Sequence, residues 1–300
     1  MNASTWIKKN TASLTGKTVA ISGATGGLGR ELCFHLASLG ADLILLDRNP
    51  SKSKALAEEI GERFPSISIS RIRVDMTEMA SVKAAAEELL GLFVDVLVLN
   101  AGAYSIPRCR CDTGYDNVFQ INFIAPYYLA RTLLPHLRTR GGRVIAVGSI
   151  AHRYSKSDAR DVDFSTRRRA GLVYGNAKRY LMLSLFGLAQ GEGEIGVVHP
   201  GITLTNITAH YPKWIFALIK HPMKVLFPSP RRASLCILCG LFEDCGDGEW
   251  IGPRFFDVWG SPKKKPLRSY EQEEADRICR VADGIYESIR NGSDGEQSPE

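Results

Sequence analysis

The chain has 300 residues, enough for one large core or two modest ones, and its 44% hydrophobic content is that of an ordinary soluble globular protein. The formal charge of +6 is carried partly by two short runs, Arg167-Arg168-Arg169 and Lys263-Lys264-Lys265, and neither is interleaved with stacking aromatics, so no nucleic-acid partner is expected. Solvated loop surface accounts for such runs, or attraction of an anionic cofactor, substrate or membrane surface.

Met1 to Ser13 reads as a polar N-terminal extension without the apolar core of a signal peptide, and no apolar run of about 18 residues follows it, which makes a cytoplasmic location the expectation. From there short apolar runs alternate with helical patterns. Thr18 to Ser22 reads as a strand, Gly29 to Leu39 as a helix and Asp42 to Leu46 as a strand. Ser53 to Phe64 is a helix, Ile67 to Val74 a strand and Met79 to Leu92 a helix. Val94 to Leu99 is apolar almost throughout, as expected at the centre of a parallel sheet covered on both faces. Phe119 to Leu137 predicts a long helix that Pro126 shortens or bends. Arg143 to Gly148 is a strand, Tyr174 to Gln190 a helix and Ile195 to His199 a further strand.

The alternation predicts a single α/β domain over residues 14–270, built on a doubly wound parallel sheet. Residues 202–230 break the rhythm: Tyr211 to Ile219 is an apolar patch bounded by prolines, readable as a substrate lid, a dimer surface or a shallow membrane contact. Residues 271–300 predict a C-terminal helix and a disordered acidic tail. The seven cysteines form no regular framework, which fits reduced thiols. Cys236 and Cys239 fall on a buried helical pattern with no second ligand pair, so no metal site is predicted.

Two features carry chemistry. Tyr174 and Lys178 stand four apart on a helix and project from one face, which places a phenol beside an ammonium that favours its ionised form and suits it to exchange a proton with an alcohol or carbonyl oxygen. Taken alone, the pair is weak evidence, since most Tyr/Lys neighbours at this spacing are ordinary surface partners. Near the start of the chain, Gly23-Ala24-Thr25-Gly26-Gly27-Leu28-Gly29 lies between a strand and a helix, where glycines allow close backbone approach and helix amides face a diphosphate. At the end of the second strand Asp47 can accept hydrogen bonds from the adenosine ribose and repel a 2'-phosphate, while Arg48 beside it can bind that phosphate. The balance leans to NAD and leaves NADP open.

These residues resemble the short-chain dehydrogenase/reductase family over nearly the whole chain to about residue 265. Ser22 to Gly29 is similar to its cofactor motif, with Ser22 in place of the commoner threonine. The resemblance implies a Rossmann fold and a catalytic group of Asn122, Ser149, Tyr174 and Lys178. It implies cofactor contacts at Gly23, Thr25, Gly27, Leu28, Gly29, Asp47, Arg48, Asp75, Met76, Asn100, Ala101, Gly102, Tyr174, Lys178, Pro200, Gly201, Thr203 and Thr205. Leu99 replaces the first asparagine of the turn after the fourth strand, and Ala177 the usual serine before the lysine. The long interval between Ser149 and Tyr174, with Trp250-Ile251-Gly252-Pro253, resembles the retinol dehydrogenase and protochlorophyllide reductase-like branch, many of whose members prefer NADP(H).

The function so implied is NAD(P)-dependent interconversion of an alcohol and its carbonyl, with a partly apolar small molecule as substrate and a homodimer or homotetramer as the assembly. Arg108 and Arg153 are candidates to receive a negative substrate group. His152 reads as loop packing or a substrate contact, and His199 as structural. The reading of a different class is a dinucleotide-binding sensor or scaffold with little turnover, for which the tyrosine, lysine and serine have no use.

Overall fold

The computed structural model describes residues 2–190, 193–202 and 228–292. Its centre is one eight-stranded sheet in the order β3-β2-β1-β4-β5-β6-β7-β8. The strands are β1 Thr18–Ser22, β2 Asp42–Asp47, β3 Ile69–Arg73, β4 Val96–Leu99, β5 Arg143–Val147, β6 Ile195–Val198, β7 Glu249–Phe255 and β8 Trp259–Pro266. All neighbours run parallel except β7 and β8, which form an antiparallel hairpin at one edge.

Side chains along each inner strand alternate between two cores. Leu43 and Leu45 of β2 join Val96 and Val98 of β4 on one face, while Ile44, Leu46, Leu97 and Leu99 pack on the other. That two-sided burial is what a near-continuous apolar strand requires. Helices cover both faces: α2 Gly27–Ser38, α3 Pro50–Arg63, α4 Met79–Leu90, α5 Asn117–Phe119, α6 Ala125–Arg138, α7 Ala170–Phe186, α8 Pro230–Gly240 and α9 Gln272–Arg290 follow α1, Ala3–Asn10. The start of α3 shows local sequence control, since Asn49 accepts from Lys52 N at 3.0 Å and Pro50 occupies the first turn.

The N-terminal extension is partly built into the fold. Ala3 and Trp6, three apart on α1, are buried in the same core as α8. The helical segment expected over Phe119–Leu137 is interrupted by a wide π turn at Gln120–Ile124 before α6 begins, and Pro126 stands in the first turn of α6. Proline has no N–H, so the Asn122 carbonyl four residues earlier lacks its ordinary helical donor. The strands β7 and β8 extend past the last strand read from the sequence. No helix among the described residues is long and apolar enough to cross a membrane.

Candidate active site

Strand order reverses at β1, whose neighbours are β2 and β4, and ligand crevices in such sheets open beyond the carboxyl ends of the strands at that point. A cavity of about 440 Å³ lies there. Its walls include Gly23, Thr25, Gly27, Leu28, Asp47, Arg48, Asp75, Met76, Asn100, Ala101 and Gly102, eleven of the residues expected from the sequence.

Close packing explains the glycines. Gly23 has φ +66°, and a Cβ there would sit 3.0 Å from the Ala101 Cα. Gly29 stays outside the cavity wall, and a Cβ on it would stand 2.2 Å from the Gly23 carbonyl oxygen. It therefore lets α2 close against the turn. Ser22 and Asn100 lock the turn in place. The Ser22 hydroxyl accepts from the Asn100 and Ala101 N–H groups at 3.0 Å each, and Asn100 Nδ2 donates to the Ser22 and Gly23 carbonyls at 3.0 Å.

The ribose end of the cavity differs in detail from the simplest reading of Asp47 beside Arg48. Asp47 is buried, and its Oδ1 accepts from Thr25 N at 3.0 Å and Thr25 Oγ1 at 2.8 Å. Burial raises its pKa, against the opposing pull of the Thr25 hydrogen bonds. The Arg48 side chain is 71% exposed, with its nearest acidic group, Asp75, at 3.8 Å. Lys52, from the first turn of α3, joins Arg48 in the cavity wall. Its signal in the sequence is its place four residues after Arg48, just past a helix cap.

None of the four catalytic candidates lines the cavity; they lie behind its wall, next to Gly102 and Tyr104. Ser149 ends the segment after β5, caps a short turn of 3₁₀ helix, Ile150–Tyr154, by accepting from the Ala151 N–H at 3.2 Å, and acts on the Tyr174 phenol. Lys178 is buried, donates from Nζ to the Val147 carbonyl at 2.8 Å, and lies 5.8 Å from the centre of the Tyr174 ring. Asn122, in the π turn, donates from Nδ2 to the Ala103 and Val118 carbonyls at 2.8 Å each and accepts from Ala103 N at 3.2 Å. Gly102 links these groups to the cavity: a Cβ there would stand 2.8 Å from Asn122 Oδ1 and 3.6 Å from Lys178 Nζ. The Tyr104 ring, also in the wall, meets Tyr174 edge-on at 5.3 Å.

Burial dominates the electrostatics. It pushes the Tyr174 phenol up to about 12, with the Ser149 hydroxyl pulling the other way and the neighbouring Tyr104 adding to the rise. It drives Lys178 down to about 7. The sequence expectation that the ammonium lowers the phenol is thus outweighed here, because a buried ammonium is itself disfavoured. That direction keeps the proton on Tyr174 at neutral pH.

Other candidates are placed differently. Pro200 and Gly201 follow β6, where a Cβ on Gly201 would meet Pro253 and the Val258 carbonyl, both at 3.1 Å; neither residue lines the cavity. Thr203, Thr205 and the apolar patch at 211–219 lie outside the described residues, as does the tail from 293. Arg108 is engaged with Asp116 at 2.8 Å and with the Phe164 carbonyl at 3.0 Å, and Arg153 with Asp257 at 3.0 Å. His199 stacks on Trp250 and His152 meets the same ring edge-on, so both histidines pack around an indole.

A sequence profile for short chain dehydrogenase matches residues 17–159. Retinol dehydrogenase 12 of Mus musculus is 29% identical over 271 residues, 86% of this chain and 84% of that protein. A Streptomyces sp. (strain C5) protein assigned as a daunorubicin C-13 ketoreductase is 31% identical over 199 residues, 65% of this chain and 68% of its own. The crystal structure of L-sorbose reductase from Gluconobacter frateurii, complexed with NADPH and L-sorbose, shares the fold with a TM-score of 0.58 at 22% identity, covering 78% of this chain and 94% of that one. The chain belongs to the short-chain dehydrogenase/reductase family. Within the family it falls in the retinol dehydrogenase-like branch, and it is an NAD(P)-dependent oxidoreductase that interconverts an alcohol and its carbonyl.

Proposed function

We propose that the protein acts on a partly apolar alcohol or carbonyl with NADP(H), using Tyr174 as the acid and base. The observation that carries the reading is the grouping of Tyr174 with Lys178 and Ser149 behind the cavity wall, Lys178 next to Gly102 and Tyr174 against Tyr104. Tyr174 gives its proton to the carbonyl oxygen during reduction and takes it back during oxidation. Ser149 donates to the same oxygen and stabilises the charge that develops on it. Lys178, held by the Val147 carbonyl, lies within reach of a cofactor ribose bound beside Gly102 and supplies the phenol with a proton partner. Asn122 holds the Gly102-Ala103 segment in place. The cofactor carries the hydride chemistry when bound, and Gly23, Gly27, Leu28 and the first turn of α2 would hold its diphosphate.

The preference for NADP(H) rests on three residues. Asp47 spends one carboxylate oxygen on Thr25 and is buried, which weakens its bias against a 2'-phosphate. Arg48 and Lys52 line the mouth where that phosphate would sit. The apolar substrate is supported by Tyr104, Ile106 and Ile121 at the catalytic end of the wall and by likeness to retinol dehydrogenase 12. A cytoplasmic setting fits seven cysteines without a disulfide. The test is oxidation of NADPH and NADH, assayed separately, across aldehydes and ketones running from sugars to long isoprenoids. Faster turnover with NADPH on the apolar members is expected, and turnover confined to NADH or to sugars would overturn the reading.

A further inference from the structure

Arg179 follows the lysine of the catalytic group directly, yet its side chain turns away from the cavity into a buried polar junction. Its Nε donates to Glu274 Oε1 at 2.8 Å and its Nη2 pairs with the second oxygen of the same carboxylate. Both side chains are 4% exposed. The remaining donors reach backbone: Nη1 goes to the His152 carbonyl and Nη2 to the Ser269 carbonyl, each at 3.2 Å. Glu274 in turn accepts from Ser157 N at 2.9 Å and Ser157 Oγ at 2.8 Å. Burial pushes against ionisation of Glu274, but the bonds from Arg179 and Ser157 win and bring it down to about 2.

The two backbone points held by this pair, at residues 152 and 157, lie on the segment that leaves Ser149. Within that segment the His152 N–H donates to the Ser149 carbonyl at 3.2 Å, and the Ala151 N–H donates to the Ser149 hydroxyl, also at 3.2 Å. The turn lies flush on α7, since a Cβ on Gly175 would stand 2.3 Å from the Ala151 carbonyl oxygen. We infer that Arg179 and Glu274 are positioning residues for Ser149: the ion pair ties the Ser149 turn to the helix that carries Tyr174 and to the C-terminal helix α9, and so sets the Ser149 hydroxyl against the Tyr174 oxygen. The inference rests on the reading of Ser149 and Tyr174 as catalytic. An ion pair buried this deeply is weak evidence for stability by itself, because well-packed apolar side chains of similar size can replace both partners. Fixing one geometry is a use that such a replacement does not preserve.

The experiment is a cycle between Ser149→Ala and the paired replacement Arg179→Met/Glu274→Met, which leaves no lone buried charge. Arg179→Lys serves as the second background, since an ammonium can meet Glu274 without also reaching the His152 carbonyl, and it covers the case in which the paired replacement fails to fold. In either background kcat should fall roughly ten- to a hundred-fold, as a small misplacement of a reacting group does, while NADPH affinity measured by fluorescence titration stays at the wild-type level. Ser149→Ala should then cost much less in those backgrounds than in the wild type. Equal costs in both would overturn the positioning role. No cost of Ser149→Ala even in the wild type would overturn the catalytic reading of the serine, and this inference with it.

Discussion

Asn122 closes both ends of its amide on one residue: its Nδ2 donates to the Ala103 carbonyl at 2.8 Å and its Oδ1 accepts from the Ala103 N–H at 3.2 Å. A single side chain thereby holds the segment that passes between the cavity and Lys178. The π turn makes this possible by carrying Asn122 at the point where Pro126 cannot donate back to it.

Asn122→Ala should leave the buried Val118 carbonyl and both partly buried Ala103 groups without their partner and cost about 1–3 kcal/mol of stability, the usual penalty for a buried polar group left unsatisfied. It should also lower kcat, because the Gly102-Ala103 segment loses its brace. Urea unfolding and steady-state kinetics check the two effects together. A variant as stable and active as the wild type would remove the brace from the account.

Lys178 makes a prediction about stability against pH. An ordinary lysine titrates near 10.5, and burial brings this one to about 7. Between those values the unfolded chain holds a proton that the folded chain lacks, so the cost of burying Lys178 grows as the pH falls from 10.5 and is complete below 7. Lys178→Met removes that cost. It also forfeits the bond to the Val147 carbonyl, about 1 kcal/mol, which is smaller than a burial cost on the order of a few kcal/mol. The inactive variant should therefore melt at least about 2 °C above the wild type at pH 7, with the gap narrowing as the pH is raised towards 10. A gap that does not change with pH would assign it to packing rather than to charge.

Arg48→Ala should weaken NADPH binding about ten-fold, the value of roughly one charge-assisted hydrogen bond, and change NADH binding by less than about two-fold. Isothermal titration with each cofactor measures this directly. Equal losses for both cofactors would place Arg48 outside the 2'-phosphate contact.

The parts legible in the sequence were those fixed by local period and spacing. Val19 to Ile21 and Val96 to Leu99 are apolar on both faces and became inner strands, and the proline at 126 marked the distortion around Asn122. The hairpin of β7 and β8 was hidden by Gly252, Pro253, Gly260, Pro262 and three lysines, a composition that reads as loop but is tolerated at a sheet edge. Helix α1 was hidden because only Ala3 and Trp6 are buried along it. The family motif proposed the site residues, but it carries nothing of their electrostatics. Asp47 is turned towards Thr25, 22 positions earlier in the chain, and the Lys178 ammonium is disfavoured by burial, and both facts depend on contacts that spacing does not encode. The junction of Arg179 with Glu274, 95 positions apart, is of the same kind.

The central claim is that Tyr174 moves the proton, and Tyr174→Phe tests it most directly, since the ring and its packing against Tyr104 are kept while only the hydroxyl is lost. Single-turnover reduction of an apolar ketone with NADPH should slow by about 10²–10⁴-fold, the usual share of a general acid, with the Kd for NADPH within about two-fold of wild type. Turnover equal to that of the wild type would contradict the assignment.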